Sequence, residues 1–302
     1  MNINVPQQII NAIWLGSVYS LFALGYAVVF SVLGVLNLAH SAIFMWGAVI
    51  GWYVITQLGL PVPLAFVIAM VGAGLLSVLL ERVAFLPLRR RNAPRISQLI
   101  SSIGVSIVLV SLAEATMQNI ISDQIGYFPR GLIPNKPIAL ESLPFRVTPI
   151  QIIIFVAAIA LVIILQFVVS NTRVGQAMRA VAFNQRTASL LGINVGGVFV
   201  TTFFLAGAMA GAAGVLYGLA YGSVEPQMGN KIALLGLTAM VLGGLGSIRG
   251  AVLGGFVVAA LQVFSTALGG SDYRDAVVFT ILFLILIVRP QGLIGTVNPN
   301  RA

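Results

Sequence analysis

Cysteine is absent from the 302 residues, and histidine occurs once, at His40. The first absence excludes disulfides, thiolate metal sites and cysteine nucleophiles. A single imidazole cannot make H-E-x-x-H or any other histidine pair, so no metal site is expected. Charge is nearly as scarce. Asp, Glu, Lys and Arg make up 8% of the chain, and not one occurs between Met1 and Leu80; a soluble domain carries about 25%. No G-x-x-x-x-G-K-[ST] is present to cradle a nucleotide, and no G-x-S-x-G elbow to present a serine. A Ser–His–Asp triad would need His40 to meet Asp123, Asp272 or Asp275, all expected in outer loops. Neither catalytic residues nor a cofactor is therefore expected.

What is present is apolar. Runs such as LPVPLAFVIAMVGAGLLSVLL (60 to 80) and PIQIIIFVAAIALVIILQFVV (149 to 169) are continuous rather than alternating. That pattern favours membrane-spanning helices over a barrel, since about 20 residues cross the roughly 30 Å hydrocarbon core. Nine segments can be drawn, at about 9–34, 42–58, 62–80, 96–117, 150–169, 198–222, 232–248, 250–269 and 275–288. The expected fold is an all-α polytopic membrane protein of eight or nine transmembrane helices. Residues 1–302 form one membrane domain, with room for a broken or re-entrant helix in its first region. No Lys or Arg precedes the first apolar run, so a cleaved signal peptide is not expected.

The net charge of +9 is a matter of placement. Arg82, Arg89, Arg90, Arg91 and Arg95 crowd one short loop; Arg173, Arg179 and Arg186 crowd another. Basic clusters beside spans mark the cytoplasmic side, and they meet anionic lipid headgroups rather than nucleic acid. The loop from Gln118 to Thr148 mixes Asp123, Arg130, Lys136, Glu141 and Arg146 without basic excess, so it is placed outside. Nine crossings put the N-terminus outside and the C-terminus inside; eight crossings are equally compatible.

Small residues recur along two files. Gly207, Gly211, Gly214, Gly218 and Gly222 form one; Gly246, Gly250 and Gly254 form the other. On a helix each would permit close approach of a neighbour. A faint internal similarity aligns Val32, Leu33, Gly34, Leu36, Ala42 and Val49 with Val241, Leu242, Gly243, Leu245, Ala251 and Val258. Interrupted segments in two halves of a chain are a transporter pattern, because broken helices leave backbone groups free to meet a substrate.

Polar groups inside this apolar chain need a reason. Ion-coupled carriers hold acids within their spans. Here only Glu114 meets that description, near the outer end of its segment, where a solvated or hydrogen-bonded role is expected. Energy should therefore come from a partner. Asn37, His40 and Ser41 have two readings. They form a turn near the headgroups if the first two segments both cross. They lie within the bundle, each requiring a partner, if the first helix is broken. Packing is the commoner role for such contacts, but with Gly243, Gly244 and Ser247 these residues are the best candidates for a gate or pathway lining.

NTRVGQAMRAVAFNQRTASLLGINV (171 to 195) reads as two short helices at an angle. Val174, Ala177, Met178, Val181 and Ala182 recur at helical spacing, Arg173, Gln176, Arg179 and Arg186 supply a basic side, Asn184 and Thr187 are cap candidates, and Gly192 can end the second helix. Such a piece either lies on the membrane interface or docks in a groove of a cytoplasmic ATPase.

RVGQAMRAVAFNQRTASLLGI resembles the coupling loop of permeases in high-affinity branched-chain amino-acid ABC importers, of the shorter type with about 300 residues. Asn37-Leu38-Ala39-His40-Ser41 is similar to that family's Asn-Phe-Ala-His-Gly segment, departing at Leu38 and Ser41. MVLGGLGSIRGAVLGGF resembles its Gly-Gly-x-Gly-Ser segment. The three matches keep the family's order from end to end of the chain.

The resemblance implies a translocation subunit in a bacterial-type inner membrane, supplying half of the pathway for a small neutral amino acid. It implies a homologous second permease, two cytoplasmic ATPase subunits and an extracytoplasmic substrate-binding protein. Arg173, Gly175, Arg179, Asn184, Arg186 and Gly192 would then form the ATPase coupling loop. Related permeases carry urea or short amides. A secondary carrier or channel working without an ATPase, and a scaffold without a pathway, are the competing functions.

Overall fold

The computed structural model describes residues 4–129, 131–132 and 145–295. Arg130, Lys136 and Glu141 of the acidic-and-basic loop lie outside the described residues, as do the extreme termini. Helix α1 (Val5–Leu33) opens with Asn4 accepting the Gln7 N–H and with a proline in its first turn, where the missing N–H is not needed. It closes on Gly34 at φ 68°, a left-handed cap that a side chain would strain. Six residues later the chain turns helical again as α2 (His40–Thr56).

Helix α3 (Val62–Leu80) does not end where charge begins. A π-helical turn, Glu81–Phe85, carries it into α4 (Leu86–Arg90). The widened turn ends two residues before Pro87, which has no N–H to give the preceding turn. The first basic loop expected from the sequence therefore shrinks to residues 91–94, and Arg82, Arg89 and Arg90 are helical. Glu81 is buried, with an Arg89 Nη2 to Glu81 Oε1 distance of 2.8 Å. The guanidinium also sits 4.0 Å over the Phe199 ring. Glu114 is thus not the sole acid within the helices. It lies on α5 (Arg95–Ile121), accepting from Gln227 Nε2 at 3.3 Å, in keeping with the hydrogen-bonded role expected for it.

Helix α6 (Pro149–Asn171) starts with a capping box between Thr148 and Gln151. The remaining helices are α7 (Arg173–Phe183), α8 (Gln185–Leu190), α9 (Val195–Tyr221), α10 (Met228–Gly243), α11 (Ile248–Ala267) and α12 (Arg274–Val288). Strands β1 (Gly126–Tyr127) and β2 (Ser223–Val224) pair antiparallel at the end of the bundle away from the basic segments.

The architecture is all-α, polytopic and built for a membrane. Helices α1, α5, α6, α9, α11 and the α3–α4 unit are long and apolar enough to cross; α2 and α10 are shorter. Burial separates centre from periphery. The spanning windows of α1 and α9 are 83% and 78% buried, against 17% for α5 and 22% for α6. Helix α1 packs on α9 and α11, and α9 packs on α2 and α3. Glycines permit this closeness: a methyl at Gly214 would run into the Phe44 carbonyl, and one at Gly211 into Ala73. Gly222 and Gly246 leave their expected files, since both take positive φ at helix ends.

Candidate functional site

The segment 34–39 folds back into the bundle rather than turning at its surface. His40 packs against Gly25, eight residues and about 12 Å short of the end of α1. The reading that places the cluster inside the bundle is the one realised: Asn37, His40 and Ser41 are 1%, 1% and 3% exposed. The fold-back is anchored from a distance, with Leu38 N donating to Ser102 Oγ on α5 at 3.1 Å.

The imidazole is boxed by aromatic rings. Its centroid lies 5.0 Å from Phe22 and 4.7 Å from Tyr26, and Phe44 stacks edge-on to Phe22 at 5.2 Å. His40 Nε2 is 3.2 Å from the Phe22 carbonyl oxygen. A carbonyl only accepts, so Nε2 carries the proton and Nδ1 is left as a lone-pair acceptor. That Nδ1, the Tyr26 hydroxyl and Asn37 Nδ2 are buried without hydrogen-bond partners. Each such group costs about 1–3 kcal/mol when left unpaired; Ser77 Oγ, Glu81 Oε2 and Arg89 Nη1 are likewise buried without hydrogen-bond partners elsewhere in the bundle. Ser41 is satisfied, donating to the Leu38 carbonyl at 3.1 Å.

Gly243, Gly244 and Ser247 make a second break, between α10 and α11, whose nearest neighbours are not the 37–41 segment. Gly243 faces Gly250 backbone to backbone, and Gly244, at φ 116°, meets Gly295. Leu293 and Ile294 donate their N–H groups to the Leu242 and Gly243 carbonyls at 2.8 and 3.0 Å. Ser247 caps α11 by accepting from Gly250 N at 3.1 Å. Both aligned stretches are helix–break–helix, with Gly34 aligned one residue from the Gly244 cap. The packing differs, because α10 and α11 lie against each other while α1 and α2 diverge.

Two cavities flank α1. One, of about 300 Å³, lies at the basic end and is lined by Ser247, Arg249, Gln166, Met178 and Arg179 among others. The second, of about 590 Å³, opens at the far end and descends to Tyr19, one turn above Phe22 on the same face of α1. The sequence reading missed this cup and the rings around His40. Phe22 and Tyr26 at i, i+4 were a usable signal, as was Gln262 standing alone in an apolar segment.

The predicted elbow is present. Thr172 caps α7, accepting from Gly175 N at 3.2 Å, and Asn184 caps α8, accepting from Thr187 N at 2.9 Å. Thr187 is the receiver of a cap, not a cap itself. Gly192, at φ 83°, turns the chain out of α8. Of the expected apolar stripe of α7, Met178 and Val181 are buried with Gly175 against the bundle, Ala177 and Ala182 are half-buried and Val174 is exposed; a side chain at position 175 would strike the Val168 and Val169 carbonyls. Arg179 donates to the Val169 carbonyl. Facing away are Arg173 and Arg186, together with Phe183, Leu190 and Leu191 at 77, 81 and 76% exposure.

Among the described residues no group of three His, Asp or Glu could hold a metal ion. The family of branched-chain amino acid transport system permease components matches residues 8–286. The chain is 36% identical to the high-affinity branched-chain amino acid transport system permease protein BraD of Pseudomonas aeruginosa, covering 96% of this chain and 95% of that one. It is 37% identical to the corresponding permease LivH of Escherichia coli, with the same coverage. A ribose import permease of Escherichia coli is 28% identical over 47% of this chain and 44% of its own. No solved structure matches.

Proposed function

The chain belongs to the family of branched-chain amino acid transport system permease components, and from that premise we propose how its parts serve an ATP-driven importer of branched-chain amino acids. Residues 1–302 act as one translocation subunit, not an enzyme. Its partners are two cytoplasmic ATPase subunits, a homologous second permease and an extracytoplasmic binding protein.

The observation that carries the coupling assignment is the α7–α8 elbow. The centre of its apolar stripe, Met178 and Val181, is already occupied by the bundle, so a helix merely resting on lipid does not account for it. The free face, Arg173, Phe183, Arg186, Leu190 and Leu191, combines basic groups with large apolar side chains. Such a face suits a groove on a protein partner. Because α7 is locked to the end of α6 through Gly175 and Arg179, a push on the elbow moves that helix rather than bending a loop. The basic end is then cytoplasmic by the positive-inside rule, with the C-terminus on the same side.

The fold-back at 34–39 makes α1 and α2 a broken pair, and the short α10 ends at the second break. Counting α2, α10 and α12 with the six long helices gives nine membrane-embedded segments, with the 34–39 break inside the bundle and the 244–247 break at its basic end. Helix α5 exposes Gly104, Ser111 and Gln118 at seven-residue spacing. This small and polar seam fits a helix of the second permease better than lipid. Within this chain the buried layer of Phe22, Tyr26, His40 and Phe44 closes the floor of the outer cup, with Asn37 and Ser41 beside it. It serves as a barrier that must open for passage, and its unpartnered polar atoms are the groups a passing zwitterion could satisfy. Ser247 lines the inner cavity, while Gly243 and Gly244 give the break its tight geometry.

Purification of the intact complex tests the reading. An ATPase should copurify with the chain, and its hydrolysis should rise when binding protein loaded with leucine is added. Concentrative uptake by this chain alone in vesicles without nucleotide would overturn it.

A further inference from the structure

Resting on that reading, we propose that the cavity at the far end of the bundle is a binding site on the permease itself for the two charges of a free α-amino acid. The carboxylate is met by Arg274 and Lys231, the ammonium by Asp275. The cup is enclosed by α1, α6, α9, α10, α11 and α12 and has a volume of about 590 Å³, within the 300–1,000 Å³ range of small-molecule sites.

Its chemistry is mixed in a way that suits a zwitterion. Arg274 and Asp275 stand side by side in the first turn of α12, with Arg274 Nε 3.8 Å from Asp275 Oδ1. Lys231 adds a second cation, leaning towards Glu225. The sequence had left Asp275 in a loop. Instead it heads α12 and is held by a chain of hydrogen bonds that rises from the buried Tyr19. The Tyr19 hydroxyl donates to Gln262 Oε1 at 2.7 Å, and Gln262 Nε2 donates to Asp275 Oδ1 at 2.6 Å. Tyr19 and Gln262 are 4% and 6% exposed, so both are positioning residues that hold the carboxylate from below.

One wall is aromatic: Trp14 stands edge-on to Tyr221 at 6.0 Å, and Tyr221 lies 4.4 Å from Tyr217. An apolar amino-acid side chain gains most against such a surface. Aromatic and basic residues also collect at membrane interfaces as anchors. Anchors face lipid, however, whereas these line a concavity with a carboxylate at its rim and a buried relay under it.

The chain has three tryptophans, and only Trp14 lines the cup. In the full importer in nanodiscs without binding protein, with Trp46 and Trp52 of this chain and any tryptophans of its partners replaced by phenylalanine, L-leucine should shift Trp14 emission. Leucinamide, lacking the carboxylate, and 4-methylpentanoate, lacking the ammonium, should bind at least about tenfold more weakly. Asp275→Asn and Arg274→Gln, both on the open rim, should each raise the leucine concentration for half-response about tenfold and raise the KM of uptake likewise. Analogues binding as well as leucine, or a silent Trp14 in a complex that imports leucine normally, would overturn the site and leave the importer reading standing. A complex that hydrolyses ATP but takes up no amino acid would overturn both.

Discussion

At the scale of single residues, two buried polar groups are compensated differently, Glu81 by a charge and His40 by a single carbonyl. Glu81 is 1% exposed and ion-paired to Arg89; removing one member of a buried pair leaves the other uncompensated, at about 3–5 kcal/mol. Glu81→Gln should therefore lower the thermal unfolding midpoint of the complex in detergent, while Arg90→Gln, in the same short helix as Arg89 but without an ion pair to Glu81, should not. His40 is satisfied only at Nε2. Replacing it by alanine removes a ring from the plug along with an unpartnered acceptor, so assembly should persist while uptake changes by about tenfold or more, roughly 1.4 kcal/mol in a barrier. Radiolabelled uptake at matched membrane levels reads this. An unaltered rate would assign the imidazole to packing alone. The sequence showed that His40 was an anomaly, but it could not show the box, because Phe22 and Tyr26 meet it from a different helix.

At the scale of elements, the elbow was the most legible piece of the chain. Its Asn184 cap, periodicity and terminal glycine are local signals, and local signals survive folding; the sequence reading missed the Thr172 cap and mistook Thr187 for one. What periodicity could not say was which face would remain free. The stripe that looked fit for a membrane surface is taken up by the bundle, and the exposed face is the one carrying Phe183, Leu190 and Leu191. Phe183→Asp with Leu190→Asp should leave expression and binding-protein affinity unchanged. It should cut leucine-stimulated ATP hydrolysis by at least about tenfold, measured in the reconstituted complex. The α3–α4 helix shows the opposite case. A run of arginines and a proline reads as a loop, yet a π-turn and the Glu81–Arg89 contact carry helix through it.

At the scale of the whole molecule, the absence of cysteine becomes an experimental advantage. Single cysteines introduced at Ser189 in α8 and Asp123 beyond α5 should report the two faces of the membrane. An impermeant maleimide should label Ser189→Cys only in inverted vesicles and Asp123→Cys only in right-side-out cells. Labelling of both from one side would reverse or break the proposed topology.

The sequence alone determined that this is a helical membrane protein, that its arginines cluster beside apolar segments, and that residues 171–195 make two short helices. Those properties follow from composition, period and cap chemistry, which are written in neighbouring residues. Tertiary structure alone decided that 34–39 re-enters the bundle, that Glu81 is buried, and that Tyr19, Gln262 and Asp275 form one hydrogen-bonded chain beneath a cup. Those features join positions up to 256 residues apart in the chain, from Tyr19 to Asp275. Their energies depend on which helices pack together, a choice made by glycine-permitted contacts and desolvation across the bundle rather than by any local run of residues.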